Sequence, residues 1–109
     1  MASGNVATVC LCLYGWNQTK NAGNFAKHKV AFEAADRFDR ATALVVADLR
    51  NSQTESRLNA FGLIGDRLHH VTFTIRRTTV WVISLRKAHN KETAYYEANH
   101  QAEHAIGRC

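Results

Sequence analysis

Three β-rich segments joined by polar breaks of two or three residues constrain the fold of this chain more than any other feature. The segments cover residues 56–64, 68–76 and 79–86, and the polar pairs Gly65-Asp66 and Arg77-Thr78 mark the breaks between them. Such short breaks favour hairpins, because two residues can join antiparallel strands whereas parallel strands need a long crossover. The sequence therefore predicts consecutive antiparallel strands.

The middle segment indicates which face of the sheet is buried. Val71, Phe73 and Ile75 alternate with threonines and with Arg76. Successive side chains of a strand point to opposite faces of a sheet. The alternation therefore predicts one apolar face and one polar face that ends in an arginine.

Composition and spacing predict five further elements around these strands. Residues 6–14 and 43–49 have the apolar and β-branched composition of strands, whereas residues 19–27, 32–40 and 91–106 carry apolar or small side chains at helical spacing. The expected order is β-α-α-β-β-β-β-α. This order predicts an α+β fold in which helices pack against an antiparallel sheet.

Size, cysteine use and hydropathy predict a single cytoplasmic domain. The chain has 109 residues without proline, and we expect residues 1–109 to form one domain. Cys10, Cys12 and Cys109 are an odd number of cysteines and suit a reducing compartment better than a disulfide framework. The apolar run over residues 6–16 is too short to cross a bilayer, so no membrane contact is expected.

The charge balance is basic. Lysine and arginine number 14 against 9 aspartates and glutamates, which gives a formal net charge of +5. A basic domain attracts negative charge over long distances, so the composition favours nucleic acid or an acidic protein as the partner.

An ordered set of motifs resembles one known family. Its most specific parts are a Lys-His-x-Val-x-Phe-Glu block that starts at Lys27 and an Ile-Ser-x-Arg-x-Ala block that starts at Ile83, with Glu92 four residues later. The other matching residues are Tyr14, Trp16, Lys20, Asn24, Ala35, Phe38, Asp48, Glu55, Arg57, Gly62, Thr74, Arg76, Val82 and Tyr96. Over about residues 14–97 this pattern resembles the BrnT toxin family.

The resemblance implies a RelE-like microbial ribonuclease fold and the toxin role of a type II toxin-antitoxin pair. It also implies a BrnA-like antitoxin that neutralises the toxin and binds the operon's DNA, so DNA contact would be indirect, within a dimeric heterocomplex. No cofactor is expected. The family usually has an aspartate, a glycine and a basic residue where this chain has Asn17, Lys29 and Trp81. At Lys29, either the turn needs no positive φ or the lysine is strained.

RNA cleavage without a metal requires a base for the ribose 2′-hydroxyl proton, cations for the charged phosphorane and an acid for the leaving 5′-oxygen. The expected catalytic residues are Arg76, Arg86, His28, Lys27, Glu92 and Tyr96, and the expected RNA-binding residues are Lys20, Arg57, Arg77 and Lys87. Arg76 and Arg86 are the first choice for phosphate contact, because a guanidinium stays charged and can grip two oxygens. We expect the ends of neighbouring strands to present these two arginines together.

Structural roles compete with these assignments. Arg86 and Glu92 can form an ion pair that pins the last helix to the sheet, and His28 can cap its helix through the C-terminal dipole. Tyr95, Tyr96 and Trp81 suit base stacking in residue type. Packing is the alternative for all three and is favoured for Trp81.

Other classes of site and function follow from weaker features. His100 and His104 share a helix face near Cys109, but structural zinc normally takes four ligands, so no metal site is expected. Two alternatives to the ribonuclease remain open at this stage. One is a non-catalytic corepressor that modulates DNA binding by an antitoxin, and the other is a plain RNA-binding module.

Overall fold

The computed structural model describes residues 13–48 and 56–99. The strands are β1 (Leu13–Gly15), β2 (Leu44–Asp48), β3 (Arg57–Ile64), β4 (Arg67–Arg76) and β5 (Thr79–Lys87). The helices are α1 (Gln18–His28), a 3-10 helix (Phe32–Arg37) and α2 (Asn90–Asn99). Within these residues one five-stranded sheet has the order β1-β5-β4-β3-β2. The predicted α+β class is confirmed.

Pairing is antiparallel from β2 to β5, as the short breaks predict. β1 lies at the edge and pairs in parallel with β5, with Tyr14 opposite Val80. Parts of two predicted elements lie outside the described residues, namely residues 6–12 of the first strand and 100–106 of the last helix. The three cysteines lie outside them as well. In the part of the chain that is described, no helix is long and apolar enough to cross a membrane.

The predicted α-helix over residues 32–40 is wrong in type and length. The chain forms a 3-10 helix that ends at Arg37, with hydrogen bonds from Ala34 N to Ala31 O (3.0 Å) and from Phe38 N to Ala35 O (3.1 Å). The reason lies in the spacing of its apolar residues. Phe32, Ala35 and Phe38 recur every third position, and three residues per turn place all of them on one buried face.

Both predicted two-residue turns are present, but they differ in strain. Gly65 takes a positive φ of 66° at the first position of the β3-β4 turn. Arg77 occupies the same position of the β4-β5 turn with a φ of 57°. The left-handed region costs a side-chain-bearing residue free energy that glycine does not lose, so the second turn is strained.

Each face of the sheet has its own apolar cluster. Phe73, Val82 and Leu85 pack against Phe32 of the 3-10 helix on one face. Leu44, Phe61 and Leu68 pack with Tyr96 of α2 on the other, which we call the α2 face. Alternation along β4 also places Arg76 on the α2 face, and pairing with His70 places Arg86 there, because a register shift interrupts the alternation along β5.

Candidate active site

Asn24 fixes the position of α1 against the sheet. β1 covers β5 only as far as Trp81, and beyond that point the Asn24 side chain takes the place of a neighbouring strand. Its Nδ2 donates to Leu85 O (2.6 Å) and to Val30 O (2.8 Å), and its Oδ1 accepts from Leu85 N (3.3 Å). Residues four apart share a helix face, so His28 follows Asn24 along this edge towards Arg86.

Arg86 and Glu92 form a two-point ion pair that joins β5 to α2. Arg86 Nη1 donates to Glu92 Oε1 at 2.9 Å and Nη2 donates to Oε2 at 2.7 Å. Both side chains are mostly buried, with 19% and 22% of their surface exposed. Glu92 Oε1 also accepts from the backbone N–H of His89 (2.8 Å), the residue before α2, as glutamates do in capping boxes. The predicted ion-pair alternative is therefore present.

The pair determines the charge state of Glu92 and the orientation of Arg86. The hydrogen bonds from Arg86 lower the pKa of Glu92 to about 2, and the bond from His89 N acts in the same direction. Glu92 is therefore a carboxylate at neutral pH and has no proton to give to a leaving group. The ion pair also orients Arg86, because a two-point contact fixes the plane of the guanidinium.

His28 lies at the C-terminus of α1, half-buried and within reach of the positive charge of Arg86. Burial lowers its pKa below the ordinary value of 6.5, and the positive charges of Lys27, Arg86 and His89 lower it further. A histidine held by the helix dipole as an imidazolium would have a raised pKa. The direction of the shift therefore favours a neutral imidazole, which is the form that accepts a proton.

A polar and aromatic row on the α2 face continues from Arg86. His70 lies opposite Arg86 in β4, and Phe61 lies opposite His70 in β3. The rings of Phe61 and His70 stack with centroids 4.8 Å apart at 15°. Asn59 Oδ1 contacts His70 Nε2 at 2.9 Å and accepts from Thr72 Oγ1 at 2.8 Å, so hydrogen bonds fix the His70 ring.

Arg76 does not join this cluster. It lies opposite Thr79 next to the β4-β5 turn, six residues along β4 from the position that faces Arg86. At about 3.3 Å per residue, the two arginines are separated by about 20 Å. The expectation that the sheet presents them together is therefore wrong. Adjacent antiparallel strands run in opposite directions, so the C-terminal ends of β4 and β5 lie at opposite ends of the hairpin.

Arg76 contacts the ring of Trp81. The guanidinium of Arg76 lies 4.5 Å from the centroid of the Trp81 ring, a cation–π contact. The same ring covers Gly15 of β1, where a Cβ atom would lie 2.8 Å from the ring carbons. Trp81 therefore packs against β1 and Arg76, in agreement with the favoured packing interpretation.

The other predicted residues divide between the two ends of the hairpin. Arg57 lies opposite Asp48 and Arg77 lies in the β4-β5 turn, so both belong to the Arg76 end. Lys87 lies next to Arg86 in sequence but opposite His69. Lys27 precedes His28 at the C-terminus of α1, whereas Lys20 lies in the first turn of that helix.

Tyr96 has a packing role. Its ring is buried in the cluster of the α2 face, and its hydroxyl donates to Thr42 O at 3.0 Å. This bond directs the hydroxyl towards the chain that precedes β2 and not towards Arg86. Tyr96 is therefore not placed among the groups around His28.

Two of the departures from the family pattern have structural explanations. Asn17 caps α1, with its Oδ1 accepting from Lys20 N at 3.1 Å, which is a role that asparagine and aspartate perform equally well. Lys29 ends α1 with a φ of 63°, so the strained alternative for this lysine is correct.

Sequence reasoning missed His70, His89, Asn59 and the edge contact of Asn24. Pairing the residues of β4 and β5 one by one, outward from the turn at residues 77–78, would have brought His70 close to Arg86. This count places His69 opposite Arg86 instead of His70, because the register shifts between Thr72 and Phe73. Among residues 13–48 and 56–99, no three His, Cys, Asp or Glu side chains form a group that could hold a metal, and His100, His104 and Cys109 lie outside that range.

Comparisons with known proteins agree with this architecture. No curated protein matches the chain. A solved structure, the ribonuclease toxin BrnT of Brucella abortus at 1.1 Å resolution, is similar with a TM-score of 0.57 and 24% sequence identity, over 72% of this chain and 99% of that one. The model of the family described as "Ribonuclease toxin, BrnT, of type II toxin-antitoxin system" matches residues 16–92. The chain therefore belongs to the BrnT family of ribonuclease toxins, a family that acts with antitoxin partners.

Proposed function

We propose that this chain is a metal-independent endoribonuclease whose active centre lies where α1, β5 and α2 meet. The observation that carries the proposal is that the guanidinium of Arg86, which Glu92 orients at two points, acts together with Lys27 and His89 on the charge of His28. An imidazole with a lowered pKa beside a fixed guanidinium supplies a base and a phosphate contact without a metal ion.

The chemistry follows from these groups. Neutral His28 takes the proton of the ribose 2′-hydroxyl, and the 2′-oxygen attacks the adjacent phosphorus. Arg86 donates to the phosphate oxygens as negative charge grows on them. The bond from phosphorus to the 5′-oxygen breaks, and the leaving oxygen takes a proton from water. The products are a 2′,3′-cyclic phosphate and a free 5′-hydroxyl.

The same site explains the partner that we propose. A BrnA-like antitoxin would neutralise the toxin by presenting acidic groups to the basic centre, because a surface that attracts RNA also attracts a complementary protein. Both partners would act in the cytoplasm, as a dimeric heterocomplex that reaches DNA only through the antitoxin. The family description supports an antitoxin partner, and the net charge of +5 supports an acidic surface on it.

The test is cleavage of end-labelled RNA by the purified, antitoxin-free protein in EDTA. We expect cuts that leave cyclic phosphates, and Arg86→Ala is expected to lower kcat/KM by about 10²- to 10³-fold. Arg37→Ala is the matched control, because it removes an exposed arginine from the 3-10 helix outside the proposed centre.

A second variant separates chemistry from folding. Arg86→Ala also removes the link to α2, so its melting temperature is compared with that of Glu92→Gln, which weakens the same link but keeps the cation. Intact RNA after incubation with the folded wild-type protein would contradict the proposal and favour the corepressor alternative.

A further inference from the structure

Tyr95 is an exposed aromatic residue beside the proposed centre that the cleavage mechanism does not use. Its side chain is 48% exposed, whereas the neighbouring Tyr96 is 9% exposed. Glu92 precedes Tyr95 by three residues on α2, and side chains at this spacing are neighbours on a helix surface. Tyr95 therefore lies next to the carboxylate that holds Arg86.

Tyr95 is supported by buried side chains of the sheet. Its ring meets Phe61 with centroids 6.4 Å apart at 70°. Phe61 stacks in turn on His70, which lies opposite Arg86 and whose ring Asn59 holds through a hydrogen bond. Tyr95, Phe61 and His70 thus form a row of contacts that leads to the strand position opposite Arg86.

The contact angle leaves Tyr95 free to stack. At 70° the two rings meet edge to face, so Phe61 occupies at most one face of the tyrosine ring. With almost half of Tyr95 accessible, an aromatic face remains open on α2, one helical turn from Glu92. Tyr96 supplies the ring that α2 buries in the cluster, whereas the ring of Tyr95 stays partly exposed while it contacts Phe61.

We propose that Tyr95 is a nucleobase-stacking subsite for an unpaired nucleotide next to the scissile phosphate. This inference rests on the proposed ribonuclease function. A planar base is the ligand that such a face fits best, because stacking on an aromatic ring accepts any base and adds affinity beside a phosphate-binding arginine. Tyr95 is then a positioning residue that holds RNA in register with Arg86 and His28.

The test uses a short single-stranded RNA whose main cleavage position has been mapped. Ribo-abasic nucleotides, which keep the 2′-hydroxyl and the phosphate, replace one nucleotide at a time on either side of that position. For the wild-type protein we expect one abasic position to raise KM about tenfold with little change in kcat. In Tyr95→Ala, KM for the intact RNA rises by a similar factor, and the abasic substitution has no further effect.

Matched variants isolate the aromatic face. Tyr95→Phe keeps the ring and is expected to behave as wild type, whereas Tyr95→Leu keeps an apolar contact with Phe61 and is expected to behave as Tyr95→Ala. Leu13→Ala is the control, because Leu13 is 60% exposed on β1, opposite Thr79 at the end of β5 remote from Arg86. Its abasic profile should match that of the wild type.

Several results would overturn the inference. A wild-type protein that cleaves RNA but shows no position-specific abasic effect, or a Tyr95→Leu variant that keeps that effect, would show that Tyr95 does not stack on a base. Loss of antitoxin affinity in Tyr95→Ala with unchanged RNA kinetics would assign the ring to the protein partner instead. If the wild-type protein cleaves no RNA, the proposed function itself fails and this subsite fails with it.

Discussion

The two ends of the β4-β5 hairpin carry one predicted arginine each, yet they offer very different settings. At one end Arg86 is held at two points by Glu92, beside a half-buried imidazole. At the other end Arg76 lies exposed over the Trp81 ring, next to the turn. Both residues lie on the α2 face and both have an aromatic or ionic partner.

The two ends differ in how firmly each guanidinium is oriented. The carboxylate of Glu92 fixes the guanidinium plane of Arg86. A preorganised phosphate contact requires such a fixed orientation. A cation–π contact at an exposed site is worth about 0.5–1 kcal/mol and leaves Arg76 with more freedom. We therefore propose transition-state contact for Arg86 and at most a general attraction for RNA for Arg76.

The largest expected effect separates the two arginines. Arg86→Ala should lower kcat/KM by about 10²- to 10³-fold, and Arg76→Ala by no more than about tenfold, because a charge remote from the reacting phosphorus adds only general attraction. Steady-state kinetics at low and high salt measure both losses. The loss in Arg76→Ala should shrink at high salt, and an equal loss in the two variants would break the comparison.

The next effect concerns stability at the Arg86 end. The pKa of Glu92 is about 2 in the folded protein against an ordinary value of 4.5, so the ionised form stabilises the fold above pH 4.5 and this contribution disappears as the pH falls towards 2. Glu92→Gln should lower the free energy of unfolding at pH 7 by an amount on the order of 2 kcal/mol, with a smaller difference from wild type near pH 2.

Urea unfolding at several pH values measures this contribution. Glu97→Gln, an exposed glutamate on the same helix, is the control and should change stability less. A Glu92→Gln difference that is constant from pH 7 to pH 2 would show that the ion pair does not stabilise α2.

A smaller effect compares backbone strain at the two ends. Lys29 beside His28 and Arg77 beside Arg76 both take left-handed conformations that glycine adopts without strain. Lys29→Gly and Arg77→Gly should each raise the free energy of unfolding by about 0.5–1 kcal/mol. Thermal denaturation measures the gain, and a loss of stability in either variant would mean that the lysine or arginine side chain contributes more than its backbone costs.

The smallest effect is a shift in pH dependence. Protonated His28 cannot act as the base, so kcat/KM should fall as the pH drops below the lowered pKa of His28. Lys27→Gln removes a positive charge that lowers this pKa and should move the acidic limb of the profile to higher pH. Lys20→Gln, at the other end of α1, should leave the midpoint in place.

The strands were predictable from the sequence because turns and alternation are local signals. Residues 65–66 and 77–78 marked the hairpins, and Val71 and Phe73 marked the buried face. The 3-10 helix was missed because apolar residues spaced by three also fit an α-helix over two turns. Its end at Arg37 depends on Phe38, which bridges to Ile64 of β3.

The site was less predictable because its contacts join distant segments. The pair of Arg86 and Glu92 was foreseeable as an alternative, but its two-point geometry depends on how α2 enters over β5. Asn24 pairs with Leu85 across 61 positions, which no local pattern indicates. The position of Arg76 could have been deduced, since antiparallel pairing places the end of β4 beside the start of β5.

The most direct test of the proposed centre is an NMR titration with an RNA that carries a 2′-deoxy nucleotide at the cleavage position and therefore cannot react. We predict that the side-chain resonances of Arg86 Nε–H and of the His28 imidazole shift most on binding, with smaller changes at the Trp81 indole N–H. Shifts concentrated on Arg76 and Trp81, with Arg86 and His28 unchanged, would contradict the account and move the centre to the opposite end of the hairpin.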